Sequence, residues 1–237
     1  SACLVGSEMC IRDSDTRDLF ERWTFGSTSG LDNPRTIYVN TSSSYTAYYV
    51  RQYRWRLTTS GLPDNTHYKL TFQGTAYGFI SPTTRDEWVN RNGRYTFRAS
   101  LAVTPFTGLA WSNTTYVFSH WENETGHTIS SSYETSQTVF KPETFIAGYD
   151  STQMHTRNLA VHVQSIASVP IERANVKVYY YGTQVASGLT DASGNVVFRL
   201  PPNPEYKITA KKGWRSGSKT IELYVDSTLT ITIWVGG

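Results

Sequence analysis

The sequence predicts an all-β chain built from tandem small modules, and three observations carry that reading. Of its 237 residues 16 are Tyr, 7 Trp and 10 Phe, and Ser and Thr together make up about a quarter. Aromatic and β-branched residues of this kind suit half-buried pleated surfaces. Apolar residues recur with period two along most of the chain, and no ten-residue segment places them at i, i+3, i+4 and i+7. The nearest approach to a helix, Arg17 to Trp23, is too short to stand alone. Charged residues are only 17% and the net charge is +3, which excludes a polycation, a nucleic-acid-binding tail or a disordered acidic chain. No apolar run reaches the ~18 residues of a membrane-spanning helix, so no transmembrane segment is expected.

Residues 4–14 read LVGSEMCIRDS. With Cys3 in front, this stretch resembles the in-frame translation of a transposase-type sequencing adapter. The resemblance implies that residues 1–14 are a non-native segment, to be excluded from fold reasoning, and that they pack on nothing. It removes both cysteines, Cys3 and Cys10, from any disulfide or metal argument. It also implies that the native chain begins further upstream.

Beyond that point the chain repeats itself. Phe20-Glu-Arg-Trp23 is followed by Thr46-Ala-Tyr-Tyr49, and Phe118-Ser-His-Trp121 by Ile146-Ala-Gly-Tyr149. Residues 15–51 therefore read as the C-terminal part of one truncated β repeat and 52–150 as a complete one. Within it, Arg54 to Thr58 and His67 to Phe72 alternate as strands around the turn Gly61-Leu-Pro-Asp-Asn65. Arg94 to Arg98, Thr115 to Phe118 and Thr138 to Phe140 continue the pattern. The pair Tyr116-Val-Phe118-Ser-His-Trp121 and Thr144-Phe-Ile-Ala147-Gly-Tyr149 resembles the internalin-type B-repeats of surface proteins. That resemblance implies that Trp121, Phe118 and Tyr149 form a buried group, and that Trp23, Phe20 and Tyr49 reproduce it.

Residues 151–157, rich in Ser, Thr, Gln and His, read as a linker with few contacts, which leaves the modules to fold independently. From 158 to 237 a different module follows. Leu159-Val163, Val176-Tyr180, Val196-Phe198, Tyr206-Ala210, Ile221-Val225 and Leu229-Val235 alternate at the spacing of a small β-sandwich. The run Thr190-Asp191-Ala-Ser-Gly194-Asn-Val-Val-Phe198 resembles the carboxypeptidase regulatory-like (transthyretin-like, Cna-B-like) domains. Some members carry a Lys–Asn crosslink. Lys177 lies on an early strand here, but Thr228 to Val235 holds no Asn or Asp, so none is expected.

Chemistry is sparse. No phosphate loop, HExxH, GxSxG or CxxC occurs, and no cofactor and no catalytic residue are expected. The densest polar cluster is His120, Glu122, Glu124 and His127, whose ligand types would suit zinc or iron; a solvated hairpin beside Trp121 explains it as well. His155 and His162 bracket a linker and a strand. Asp86 and Glu87 are adjacent and so point to opposite faces of a strand, unlike a glycosidase pair. Residues 151–237 hold nine basic and five acidic groups, against twelve of each in 15–150. The excess gathers at Lys211, Lys212, Arg215 and Lys219 around Trp214, where an anionic glycan, a headgroup or a neighbouring subunit could be met. Trp88, Trp111, Trp214 and Trp234 are the tryptophans least explained by strand alternation and so the candidates for stacking on sugar. Asn40, Asn113 and Asn123 lie in N-glycosylation sequons.

These features point to a non-catalytic structural or adhesive segment of a large extracellular or cell-surface protein, prokaryotic and, by resemblance, archaeal. Its expected partners are neighbouring modules of the same chain and a glycan or surface component. The competing reading is a carbohydrate-binding accessory region of a secreted hydrolase.

Overall fold

The computed structural model describes residues 8–13, 15–25, 28–31, 44 and 46–233. Every regular element among them is a strand. The first module contains β1 (Glu8–Asp13), β2 (Thr16–Phe25), β3 (Thr28–Gly30), β4 (Thr46–Ser60), β5 (His67–Phe72), β6 (Thr75–Ile80) and β7 (Arg85–Asn90). It continues with β8 (Arg94–Ala99), β9 (Ala102–Val103), β10 (Thr114–Glu122), β11 (Thr128–Ser130), β12 (Glu134–Thr138) and β13 (Glu143–Gln153). The second holds β14 (Arg157–Ser165), β15 (Asn175–Tyr180), β16 (Thr183–Leu189), β17 (Asn195–Leu200), β18 (Asn203–Lys212), β19 (Arg215–Leu223) and β20 (Ser227–Ile233).

The first module packs two sheets face to face. One runs β1-β2-β4-β13-β10-β11, with β3 on β2, β7 on β4 and β9 on β10; the other runs β12-β8-β5-β6. Alternation drives the assembly: Trp55 and Leu57, Tyr68, Leu70 and Phe72, and Phe97 and Ala99 are all turned inward. Trp121 is fully buried, its ring 4.8 Å from Phe97 and 5.9 Å from Phe118, and Phe118 meets Tyr149 edge-on at 6.1 Å. In the partial repeat Phe20 lies 5.6 Å from Trp23 and 5.9 Å from Tyr49. The registers agree as well: Phe20 pairs with Tyr49 and Trp23 with Ala47, as Phe118 pairs with Tyr149 and Trp121 with Ala147, each with a bulge between. The expected ring arrangement is repeated but its burial is not: Phe118, Trp121 and Tyr149 are buried, whereas Phe20, Trp23 and Tyr49 are half-buried.

Three boundaries differ from the sequence reading. Glu8–Asp13, expected to pack on nothing, is a strand antiparallel to β2, with Glu8 opposite Leu19 and Met9 opposite Asp18. In the complete repeat Ala102 and Val103 of β9 occupy the equivalent places opposite Val117 and Tyr116. The reason is general: an edge strand offers unpaired N–H and C=O groups that any extended segment can satisfy. Residues 1–7 and 14 of that segment lie outside the described residues, as do Asn40 and Trp234. Second, β4 is one strand of 15 residues that crosses the 51/52 boundary between repeats. Its first half pairs with β2, and its second half with β7 and, in parallel, with β13. Third, β13 runs to Gln153 and β14 starts at Arg157, so only 154–156 of the expected linker lie outside strands.

The second module is a seven-stranded sandwich, β17-β14-β20 against β16-β15-β18-β19. Its core is Leu159, Val161 and Val163 facing Val176, Val178, Tyr206 and Ile208. The motif beginning at Thr190 has a clear physical role. Thr190 Oγ1 accepts from the Ala174 N–H and donates to the Ile171 carbonyl at 2.6 Å. Asp191 Oδ1 accepts from the N–H groups of Ser193 and Asn195. Gly194 has φ of 76°, and a Cβ there would sit 2.6 Å from the Val163 carbonyl oxygen. Only glycine meets both conditions.

Candidate functional site: the junction between modules

The segment between β9 and β10, residues 104–113, leaves the first module and lies on the second. Phe106 and Trp111 pack against the second module's core. Trp111 sits 4.9 Å from the ring of Tyr180 and 6.0 Å from that of Tyr206, and Phe106 lies 4.7 Å from Trp111 and 6.2 Å from Tyr180. A local turn shapes the segment: Thr107 N–H donates to the Ala110 carbonyl, and Ser112 N–H to that of Pro105.

Beneath the aromatic group is a buried polar network. Thr104 N–H donates to Asn203 Oδ1 at 2.9 Å, and Thr104 Oγ1 donates to the Pro202 carbonyl at 3.1 Å while contacting Thr115 Oγ1 at 2.9 Å. Asn203 is fully buried; its Nδ2 donates to Tyr206 Oη, which donates in turn to the Pro201 carbonyl. Burial of these polar groups is tolerable because each has a partner. At the flank, His67 of β5 stacks on Tyr181 with centroids 4.1 Å apart and planes 16° apart. Burial pushes the His67 imidazole below its ordinary value, because the charged form loses hydration. Burial pushes the Tyr180, Tyr181 and Tyr206 hydroxyls up. Two ion pairs cross the junction, Lys69–Glu205 at 2.5 Å and Arg98–Glu222 at 2.6 Å. Both are partly exposed, so they fix direction more than they add stability.

A cleft of about 230 Å³ opens beside this interface. Leu101, Ala102, Val117 and Pro202 line it together with Gln153, His155 and Arg157. Arg157 Nε donates to the Tyr224 carbonyl, which fixes the side chain against the second module.

The other sequence candidates are scattered. His120 Nε2 lies 3.4 Å from Glu122 Oε2 on one face of β10, with Trp121 turned the opposite way into the core. Glu124 instead accepts from Thr144 Oγ1, and His127 is exposed in the turn that Asn123 Oδ1 caps. No group of three or more His, Cys, Asp or Glu placed to hold a metal occurs among the described residues. Trp88 is half-buried on β7, with the Arg17 guanidinium 4.3 Å over its ring. Trp111 is in the junction. Trp214 is 76% exposed at the β18–β19 turn. Three tryptophans weighed for sugar stacking thus lie on three separate parts of the molecule. Asn113 is exposed, and its carbonyl accepts from Met154 N–H. The role of residues 104–113 was missed in the sequence. The available signal was Phe106 and Trp111 in a Gly-, Pro- and Thr-rich stretch, where apolar bulk has no local core to enter.

No family model matches the sequence, and no curated protein does. Among solved structures, the Bacillus anthracis TIE protein is similar at 13% identity over 81% of this chain, with a TM-score of 0.30; the chain spans 38% of that protein's length. The shaft pilin SpaA of Lactobacillus rhamnosus GG is similar at 10% identity, covering 78% of this chain and 98% of that one, with a TM-score of 0.27. A streptococcal ancillary pilin is similar at 9% identity, covering 92% and 75%, with a TM-score of 0.28. Scores of this size carry no functional argument.

Proposed function

We propose that the chain is a non-catalytic structural and adhesive segment of a large extracellular or cell-surface protein. In this reading internalin-type repeats run without a break into a carboxypeptidase regulatory-like sandwich and hold it at a fixed orientation. One observation supports the reading above all others: residues of the first module, Phe106 and Trp111, complete the core of the second. Small polar interfaces leave modules free to swivel. Aromatic packing across the junction and the paired Thr104–Asn203–Tyr206 network oppose swivelling, because any rotation would expose the rings and orphan Asn203. A stalk that presents a surface outward needs that property. The carbohydrate-binding alternative finds no support in tryptophans that lie on separate elements.

Calorimetry of the full chain tests the proposal. One cooperative transition is expected, and Asn203→Ala should lower its midpoint, leaving the Thr104 N–H buried without an acceptor at a cost of about 1–3 kcal/mol. Two separate transitions in the unaltered chain would overturn it.

A further inference from the structure

The end of the second module remote from the junction has a different chemistry. There β18 and β19 are joined by the two-residue turn Gly213–Trp214, with Lys212 paired to Arg215. Gly213 takes φ of 60°, the first central position of a type II′ turn, and Trp214 follows at the apex. The Arg215 guanidinium lies 4.6 Å from the Trp214 ring centroid. Lys212 Nζ donates to the carbonyls of Glu172 and Arg173 at 2.8 and 3.5 Å, which ties Arg173 to the base of the hairpin. One row back, Lys211 pairs with Asn175, and Asn175 with Leu189, so Lys211 and Leu189 share the outer face of the sheet. Ile166 and Val169, in the turn after β14, stand at the same end. Exposures are 76% for Trp214, 63% for Ile166, 59% for Val169 and 57% for Leu189.

We propose that this tip enters the interface of a bilayer bearing anionic headgroups. The proposal rests on the reading of the chain as an extracellular or surface segment, and supplies the adhesive partner which that reading leaves open. Trp at an apex suits the headgroup level, with its ring in the apolar layer and its N–H in the wet one. Aliphatic Ile, Val and Leu gain free energy from acyl chains. A sugar, by contrast, is held by flat aromatic faces flanked by hydrogen-bonding side chains. Lys211, Lys212, Arg173 and Arg215 outnumber Glu172 and Asp191 at this end, and the Asp191 carboxylate already accepts two backbone N–H groups. Cations near such a surface each strengthen binding about fivefold.

The test is co-sedimentation of the full chain with vesicles of phosphatidylcholine alone and of phosphatidylcholine with phosphatidylglycerol. Binding to the anionic vesicles only is expected, weakening as salt rises. Trp214→Ala should lower the partition coefficient about tenfold and Lys211→Gln about fivefold, each with an unchanged melting temperature because both side chains are exposed. The fluorescence difference between the unaltered chain and Trp214→Phe should shift to the blue on vesicle addition. No vesicle binding, binding indifferent to both substitutions, or Trp214-dependent binding to heparin in place of vesicles would overturn the proposal. Single-transition unfolding would be untouched by any of these results, so the stalk reading would stand or fall separately.

Discussion

Two tryptophans at equivalent places in the two repeats have different weights. Trp121 is enclosed by Phe97, Phe118 and the opposing sheet, with its Nε1 donating to the Tyr133 carbonyl. Trp121→Ala should cost roughly 3–5 kcal/mol, as large-to-small core changes do. Trp23 is only half-buried, so Trp23→Ala should cost clearly less when both variants are unfolded in urea; equal losses would contradict the assignment. His67 adds a pH dependence. Its folded-state pKa lies below the ordinary 6.5, so the unfolded chain binds the extra proton first. Its contribution is therefore complete above about pH 6.5 and is lost as the pH falls toward the folded value. Melting temperatures followed from about pH 8 to 5 should show the unaltered chain losing ground to His67→Phe only in the acid half of that range. A constant offset across the range would place His67 in water.

Elements were legible where one face of a strand is wet and the other dry. Leu159-Val163, Val176-Tyr180 and His67-Phe72 fall where period-two alternation puts them, since each such strand carries its own pattern. The FxxW hairpins were legible because register and bulge are repeated with the sequence. Arg17 to Trp23, the best helical pattern, is part of β2: pairing with β4, including the Asp18–Arg51 ion pair at 2.9 Å, overrides a weak local preference. Pairings that need only backbone were not legible. Glu8–Asp13 joins the sheet through the open edge of β2, and nothing in its side chains announces this. Removing residues 1–14 should consequently lower the melting temperature by no more than a few degrees and leave the circular dichroism spectrum strand-like. Failure of the shortened chain to fold would show that this strand is integral.

In the whole chain, alternation led to tandem all-β modules ending in a β-sandwich, and the all-β fold is what is found, while composition led to a linker with few contacts at 151–157. A linker is judged from its own residues, but here the contact is made by residues 104–113, some forty positions upstream of the connection. Long-range docking of an irregular segment leaves no periodic signal. The consequence is a molecule whose first module lays Phe106 and Trp111 on the core of the second, above a buried Thr104–Asn203–Tyr206 network whose members are hydrogen-bonded to one another. The central claim is that the two modules move as one body, and a distance distribution measures that directly. Spin labels at Ser132 in the first module and Ser187 in the second, both exposed, with Cys3 and Cys10 replaced by Ser, would report it by pulsed electron resonance. A single narrow distribution, broadened when Trp111→Ala opens the junction, is predicted. A broad distribution in the chain with Trp111 intact would contradict the account.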